Sequence, residues 1–306
     1  MFITALTDHP EMFQKLWNFS RKYLYNSDGP HKGYFSWQVS TTEFTMMDPG
    51  AAPDGEEYFA MALFMASARW GDGEGLFDYA AQAREILRHA VHQHEIVPGG
   101  QPMWDPDNRY IRFVPGLKIS DPSYHLPHFY DLFAEKANPE DREFWRKAAE
   151  ASRKYIALTA HPVTGLSPEY SAYDGKMVLL FRKPWEYYSD AYRVVENIAL
   201  DHVWFGPHEE EDDVCTRIQD FFATVDMNDL RAYKLDGTPE DEPAMHPVAI
   251  IAVLGASSIA SRSTHRKSFM ELFVSTPLRK GVRRYYDNCL YFFCLMMLSG
   301  HYRIYR

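Results

Sequence analysis

What this chain lacks narrows its function before any motif is read. Cysteine is scarce: Cys215, Cys289 and Cys294 are the only three in 306 residues, and they follow neither a zinc spacing nor a disulfide framework. They read as reduced, buried thiols, and neither a metal nor a cofactor is expected. A basic surplus is also missing. The net charge of −10 argues against nucleic acid as a partner, because a phosphate backbone attracts lysine and arginine. No apolar run reaches the length that spans a bilayer, so no membrane partner is expected. The first residues, MFITALTDHPEMFQKLWNF, have no basic n-region and no small-residue cleavage site, so no secretory signal is read there. With the free thiols, this points to the cytoplasm. Linker-like stretches are absent too, and a single domain over 1–306 is the expectation. Oligomeric state is not written in the sequence.

Aromatics, by contrast, are plentiful at 15%, with 20 Tyr, 20 Phe and 7 Trp. On an acidic chain they suit a neutral, flat-faced ligand such as a sugar, although aromatic rings are also good core. Hydrophobic content of 46% against 24% charged is that of a globular protein.

Apolar helices alternate with more polar ones along the chain. The segment from Ala51 to Phe64 opens with Pro53, Asp54 and Gly55, and Asp54 is read as a helix cap with Glu56 and Glu57 at the positive end of the dipole. Behind them the residues to Met65 are apolar almost all round, as in a helix buried on most of its surface. Gly71-Asp72-Gly73 stops it, and a more polar helix runs from Asp78 to about Val91. Four further blocks open alike. Ser120-Asp121-Pro122 begins a helix that carries Pro127 internally, with Asp141–Thr159 as its amphipathic partner. Ser189-Asp190 begins another, followed by Glu209–Phe222 with an acidic, solvated first turn. His246-Pro247 and Arg284-Tyr285-Tyr286-Asp287 begin the last two. Before them all, Met1–Leu6 reads as helix with no lead-in, Glu11–Tyr25 as an amphipathic helix, and Gly33–Val39 as a short strand.

Paired inner and outer helices make a ring of helical hairpins, an all-α toroid whose inner-helix N-termini open on a common face. Asp54, Asp121, Asp190, Tyr124, His246 and the Arg283–Asp287 cluster then converge on one cleft. Carboxylates across a sugar-sized groove with aromatic walls fit glycoside hydrolysis, in which one group protonates the leaving oxygen and another activates water. Plainer readings stand beside this one. Acidic residues are common at helix starts, and His246 before Pro247 is also an ordinary helix start. His92 and His94 read as solvated rather than as a metal pair, since i,i+2 residues do not share a helix face. Met46-Met47 and Met296-Met297 read as packing residues, and Asp105–Asn108 as a turn rather than a calcium loop.

The ordered blocks APDGEEYFAMALF, DPSYHLPHFYDLF, SDAYRVVENIALD, HPVAIIA and RRYYDNCLYFF also carry a resemblance. From about Phe13 to Tyr302 the chain resembles glycoside hydrolase family 8, and within it the reducing-end xylose-releasing exo-oligoxylanases. The resemblance implies an (α/α)6 barrel and inverting hydrolysis of β-1,4-linked xylo-oligosaccharides. It implies Asp190 as general base and Asp54 as the carboxylate that holds the sugar at the point of cleavage. Trp37, in GYFSW, would be a stacking wall, and Arg193 would orient the carboxylates. Tyr285 and Tyr286 would line the same subsite, while Tyr124 and His246 would sit beyond the cleavage point, His246 bonding the reducing-end hydroxyl. The family's general acid is a glutamate in an EG-x-SYGM-like segment of the first inner helix, and Glu11 does not stand in that context. The barrel is therefore expected to be incomplete at its N-terminus, with that segment before Met1. The alternatives are a xylo-oligosaccharide binder or truncated remnant without the acid, and an endo-acting β-1,4-glycanase on xylan, cellulose or chitosan.

Overall fold

The computed structural model describes residues 1–180 and 186–305. They form two compact units. The first holds Met1–Lys118, Phe129–Ala149 and the C-terminal residues from Ile304; the second holds Ile119–His128 and Glu150–Arg303.

In the first unit α1 (Phe2–Leu6), α2 (Pro10–Tyr23), α3 (Pro53–Trp70) and α4 (Tyr79–Ile96) follow one another, and α3 packs on both α1 and α4. Residues 60–66 of α3 are buried without interruption. That is nearly two turns, so no face of the helix is open there. On α2, by contrast, burial falls on Phe13, Trp17 and Ser20, the spacing of a one-sided helix. The Trp17 indole is satisfied by donating to the Leu76 carbonyl at 2.8 Å. The start of α3 corrects the expected cap. Ala52 is the N-cap and Pro53 the first helical residue, so Asp54 stands at the second helical position rather than at the cap. Proline suits that place because its fixed φ is helical and it has no N–H to leave unpaired. At the other end Gly71 adopts a φ of 80°, where a side chain would be strained. Of the strand expected over 33–39, β1 (Gln38–Val39) forms and pairs with β2 (Met46–Asp48), while Phe35 bridges Tyr25. His92 is not simply solvated: its Nε2 meets Asp141 at 2.6 Å and its Nδ1 meets Glu95 at 3.1 Å. Burial works against its protonation, but these two carboxylates outweigh that and hold it above the usual histidine range.

The chain passes between the units within α5 (Pro127–Lys136) and α6 (Arg142–Thr159). The helix expected to run from Ser120 through Pro127 is two elements instead. Asp121 caps a 3-10 turn over Pro122–Tyr124, and α5 begins at Pro127. An internal proline would forfeit a hydrogen bond and push Leu126 out of helical geometry, whereas a first-turn proline does neither.

In the second unit a 3-10 turn, Ser189–Arg193, leads into α7 (Val194–Phe205), followed by α8 (Glu209–Phe222), α9 (Pro247–Ser257), α10 (Arg266–Ser275) and α11 (Arg284–Leu298). Every residue of α9 from Ala249 to Ser257 is buried, because α7, α8, α10 and α11 all pack on it. Each large side chain so enclosed, such as Ile250 or Leu254, contributes about 1.5–3 kcal/mol. Gly255 lets α10 come close: a Cβ there would lie 2.7 Å from that of Phe273. The acidic start of α8 is only partly solvated, since Glu211 and Asp212 are buried and Asp212 meets His202 Nδ1 at 2.9 Å. Two small hairpins complete the unit, β3 (Ile119–Ser120) with β4 (Ser171–Ala172) and β5 (Arg231–Tyr233) with β6 (Pro239–Pro243). Among the described residues no helix is long and apolar enough to cross a membrane.

Candidate active site

In the second unit, the two 3-10 turns at Pro122–Tyr124 and Ser189–Arg193 are stapled together. Asn197 Nδ2 donates to the Ser123 carbonyl at 2.9 Å, and Arg193 Nη2 donates to Ser123 Oγ at 2.9 Å. The same guanidinium stands 3.3 Å from Asp190 Oδ1 and 5.5 Å above the centre of the Tyr124 ring. Asp190 thus keeps 29% of its side chain open to solvent while a cation holds one of its oxygens. A carboxylate so placed is anchored yet reachable by water.

Two more elements bring the remaining groups. Tyr286, in the first turn of α11, donates from its hydroxyl to the carbonyl of Ser189, the residue before Asp190, at 2.7 Å. Its ring packs on His246 with centres 4.4 Å apart and planes inclined by 39°. His246 is the N-cap of α9 and is 6% exposed. Its Nδ1 meets Asp287 Oδ2 at 2.8 Å, which leaves Nε2 as the other polar edge of the ring. Asp287 also accepts from Arg279 Nη1 at 2.6 Å and from the Ala249 N–H at 3.0 Å. Tyr285 does not join this group: it is 81% exposed and leans on Cys289 one turn along α11.

Burial sets the electrostatics. Asp121 is fully enclosed, and desolvation, then the charge of Asp190, push its pKa well up against the pull of Arg193 and Ser123. Glu196, enclosed in the first turn of α7, is raised by burial to about 8, with Arg193 opposing. The phenols of Tyr170 and Tyr286 are raised chiefly by burial as well. In each case burial favours the uncharged form.

The first unit carries Asp54 and Trp37. Asp54 is part-buried in the first turn of α3. Two residues on, Glu56 is enclosed and raised by desolvation to about 8, while its Oε1 accepts the Phe35 N–H at 2.8 Å. Glu57 accepts the Tyr130 hydroxyl. Trp37 is 60% exposed just before β1, its backbone N–H donating to Gly50.

Asp190, Arg193, Tyr124, Tyr286 and His246, each expected from the sequence, are therefore brought together in the second unit. Sequence reasoning missed Ser123, Asn197, Tyr170 and Arg279. Ser123 reaches Arg193 across 70 positions of chain, and no local pattern announces such a contact.

The sequence profile of glycosyl hydrolases family 8 matches residues 1–300. The chain belongs to this family. Among family 8 relatives, the reducing-end xylose-releasing exo-oligoxylanase Rex8A of Paenibacillus barcinonensis is 51% identical over 100% of this chain and 80% of its own length. The reducing end xylose-releasing exo-oligoxylanase of Halalkalibacterium halodurans is 48% identical, covering 99% of this chain and 78% of that protein. A variant of Rex8A solved in complex with an arabinofuranosyl-xylotetraose superposes with a TM-score of 0.96 at 50% identity, over 100% of this chain and 80% of that one. The fold class is accordingly the (α/α)6 barrel of family 8, and the protein is a glycoside hydrolase.

Proposed function

We propose that this glycoside hydrolase removes xylose from the reducing end of β-1,4-linked xylo-oligosaccharides, with inversion at the anomeric carbon. One observation carries the reading: Tyr286 joins His246 to the backbone of Ser189, beside Asp190. An enzyme that takes only the terminal sugar needs its chain-end reader about one sugar from the group that activates water. A single tyrosine linking the two supports that arrangement.

Asp190 is the general base, taking a proton from the water that attacks the face opposite the leaving group. Arg193 orients it, and Tyr124 and Tyr286 wall the sugar beside it. His246 Nε2 meets the hydroxyl that only a chain end has free. We assign Asp54 to holding the sugar at the scissile bond and Trp37 to stacking on a pyranose face. The departing oxygen gains its proton from a general acid, a part given to none of these residues. The family match spans both compact units, which supports one catalytic domain. The free thiols of Cys215, Cys289 and Cys294 support a cytoplasmic site of action.

Xylotriose with a free reducing end, compared with xylotriose blocked there, tests the reading. Hydrolysis of the free substrate alone is expected. Equal hydrolysis of both points to endo-action, and binding without turnover points to a carbohydrate-binding role.

A further inference from the structure

Ser123 lies against the group that holds the base, yet it is only 2% exposed. Its polar atoms are all engaged. The N–H donates to Asp121 Oδ1 at 2.8 Å, the carbonyl accepts from Asn197, and Oγ accepts from Arg193 Nη2 at 2.9 Å. That same nitrogen is 3.3 Å from Asp190 Oδ1. One guanidinium nitrogen is thus shared between a hydroxyl and a carboxylate, and the hydroxyl is the nearer.

We propose that Ser123, on a turn capped by Asp121, is a positioning residue for the base: it draws Arg193 off a tight pair with Asp190. The inference deepens the hydrolase reading and rests on Asp190 as the base. A guanidinium closed on a carboxylate stabilises its ionised form and lowers its readiness to take a proton. A general base works best when that readiness is kept. Sharing Nη2 with Ser123 holds the carboxylate in place without closing the pair.

Among the described residues, four titratable groups face Asp190. Asp190 is faced by Asp121 from the segment after β3, by Tyr170 from the loop before β4, by Tyr286 from α11, and by Arg193 from its own turn. Asp121 is fully buried, and its Oδ2 has no hydrogen-bond partner among the described residues. Burial pushes its pKa and those of both tyrosines upward, which favours their neutral forms.

Ser123→Ala deletes one atom and removes the hydroxyl that competes with Asp190 for Nη2. On xylotriose, kcat is expected to fall roughly tenfold with KM changed less than about twofold. The acidic limb of the kcat/KM profile should move to lower pH by roughly half a unit to one unit. A readout independent of turnover is the 13Cγ signal of Asp190 in aspartate-labelled protein, assigned by its loss in Asp190→Asn. Its midpoint should also fall in Ser123→Ala, with thermal melting confirming the fold. An unmoved or raised midpoint overturns the positioning role, whatever the activity. A lowered midpoint in a protein that hydrolyses no xylo-oligosaccharide leaves the positioning standing and removes the hydrolase reading.

Discussion

His246 Nδ1 and Asp287 Oδ2 lie 2.8 Å apart at the junction of α9 and α11, with the carboxylate wholly buried. An ionised carboxylate only accepts, so Nδ1 carries the proton and Nε2 is the edge left for a ligand. Asp287 takes the Ala249 N–H as well. The contact that sets the tautomer therefore also fixes the start of the helix bearing the histidine.

Asp287→Ala should test how much that junction contributes to stability. Burial alone would raise the Asp287 pKa, but the bonds from His246, Arg279 and the Ala249 N–H hold it below the ordinary 3.8. With the folded value below the unfolded one, its stabilisation is present above about 3.8 and is lost as pH falls through the folded value. Removing the carboxylate takes one partner from Arg279, which keeps the Met245 carbonyl, and takes the acceptor from the Ala249 N–H, at a cost of about 1–3 kcal/mol near neutrality. Urea melts at pH 7 and in acid measure it: the gap between parent and variant should narrow in acid. An equal gap at both would show that the ionised carboxylate is not the source.

His246→Ala is expected to lower activity on xylotriose and to erode the preference for a free reducing end. A group placed to meet a terminal hydroxyl is left unpaired by an internal sugar, at a cost of roughly 1–3 kcal/mol, a factor of about 5 to 150. Rates on free and blocked xylotriose give the ratio. If the variant keeps the parent's ratio, His246 does not read the terminus.

Asp190→Asn should abolish turnover while leaving oligosaccharide affinity within a few-fold of the parent. An amide of the same shape cannot take a proton from water, and losing a general base typically lowers rate by about 10²–10⁴-fold. Calorimetric binding beside product analysis separates the two effects. Preserved turnover removes Asp190 from the base role.

Much of this was legible before folding. The apolar runs beginning near Glu56, Val194 and Pro247 announce enclosed helices, because no polar stripe is left for solvent, and the prolines and acidic residues before them mark their starts. Finer features were not. Asp54 resembles a cap, but the adjacent proline claims the first helical position. The segment PEDEP of β6 has no strand propensity, and its pairing with β5 comes from tertiary context. Asp190 and His246 were readable as polar residues at helix starts. The Ser123–Arg193 and Tyr286–Ser189 bonds that unite them span 70 and 97 positions, and helical periodicity carries no information over such distances.

Glu56→Gln should stabilise the protein at alkaline pH. The buried carboxyl titrates near 8, against 4.5 for an ordinary glutamate. A raised folded value means that stability is fully present below about 4.5 and declines as pH rises through about 8. Glutamine still accepts the Phe35 N–H and never ionises. Melts across pH 5–9 should show the variant gaining on the parent as pH rises, by about 1–3 kcal/mol at the alkaline end. Parallel curves would mean that Glu56 does not carry its proton into the neutral range.

Xylotetraose hydrolysis followed from its first minutes by proton NMR tests the proposed activity most directly, because anomeric signals report both the bond cut and the configuration produced. The expected first products are xylose and xylotriose in equal amounts, with the newly formed reducing end of xylotriose appearing as the α-anomer before mutarotation. Early xylobiose, or a new reducing end that appears as the β-anomer, would contradict an inverting enzyme that releases xylose from the reducing end.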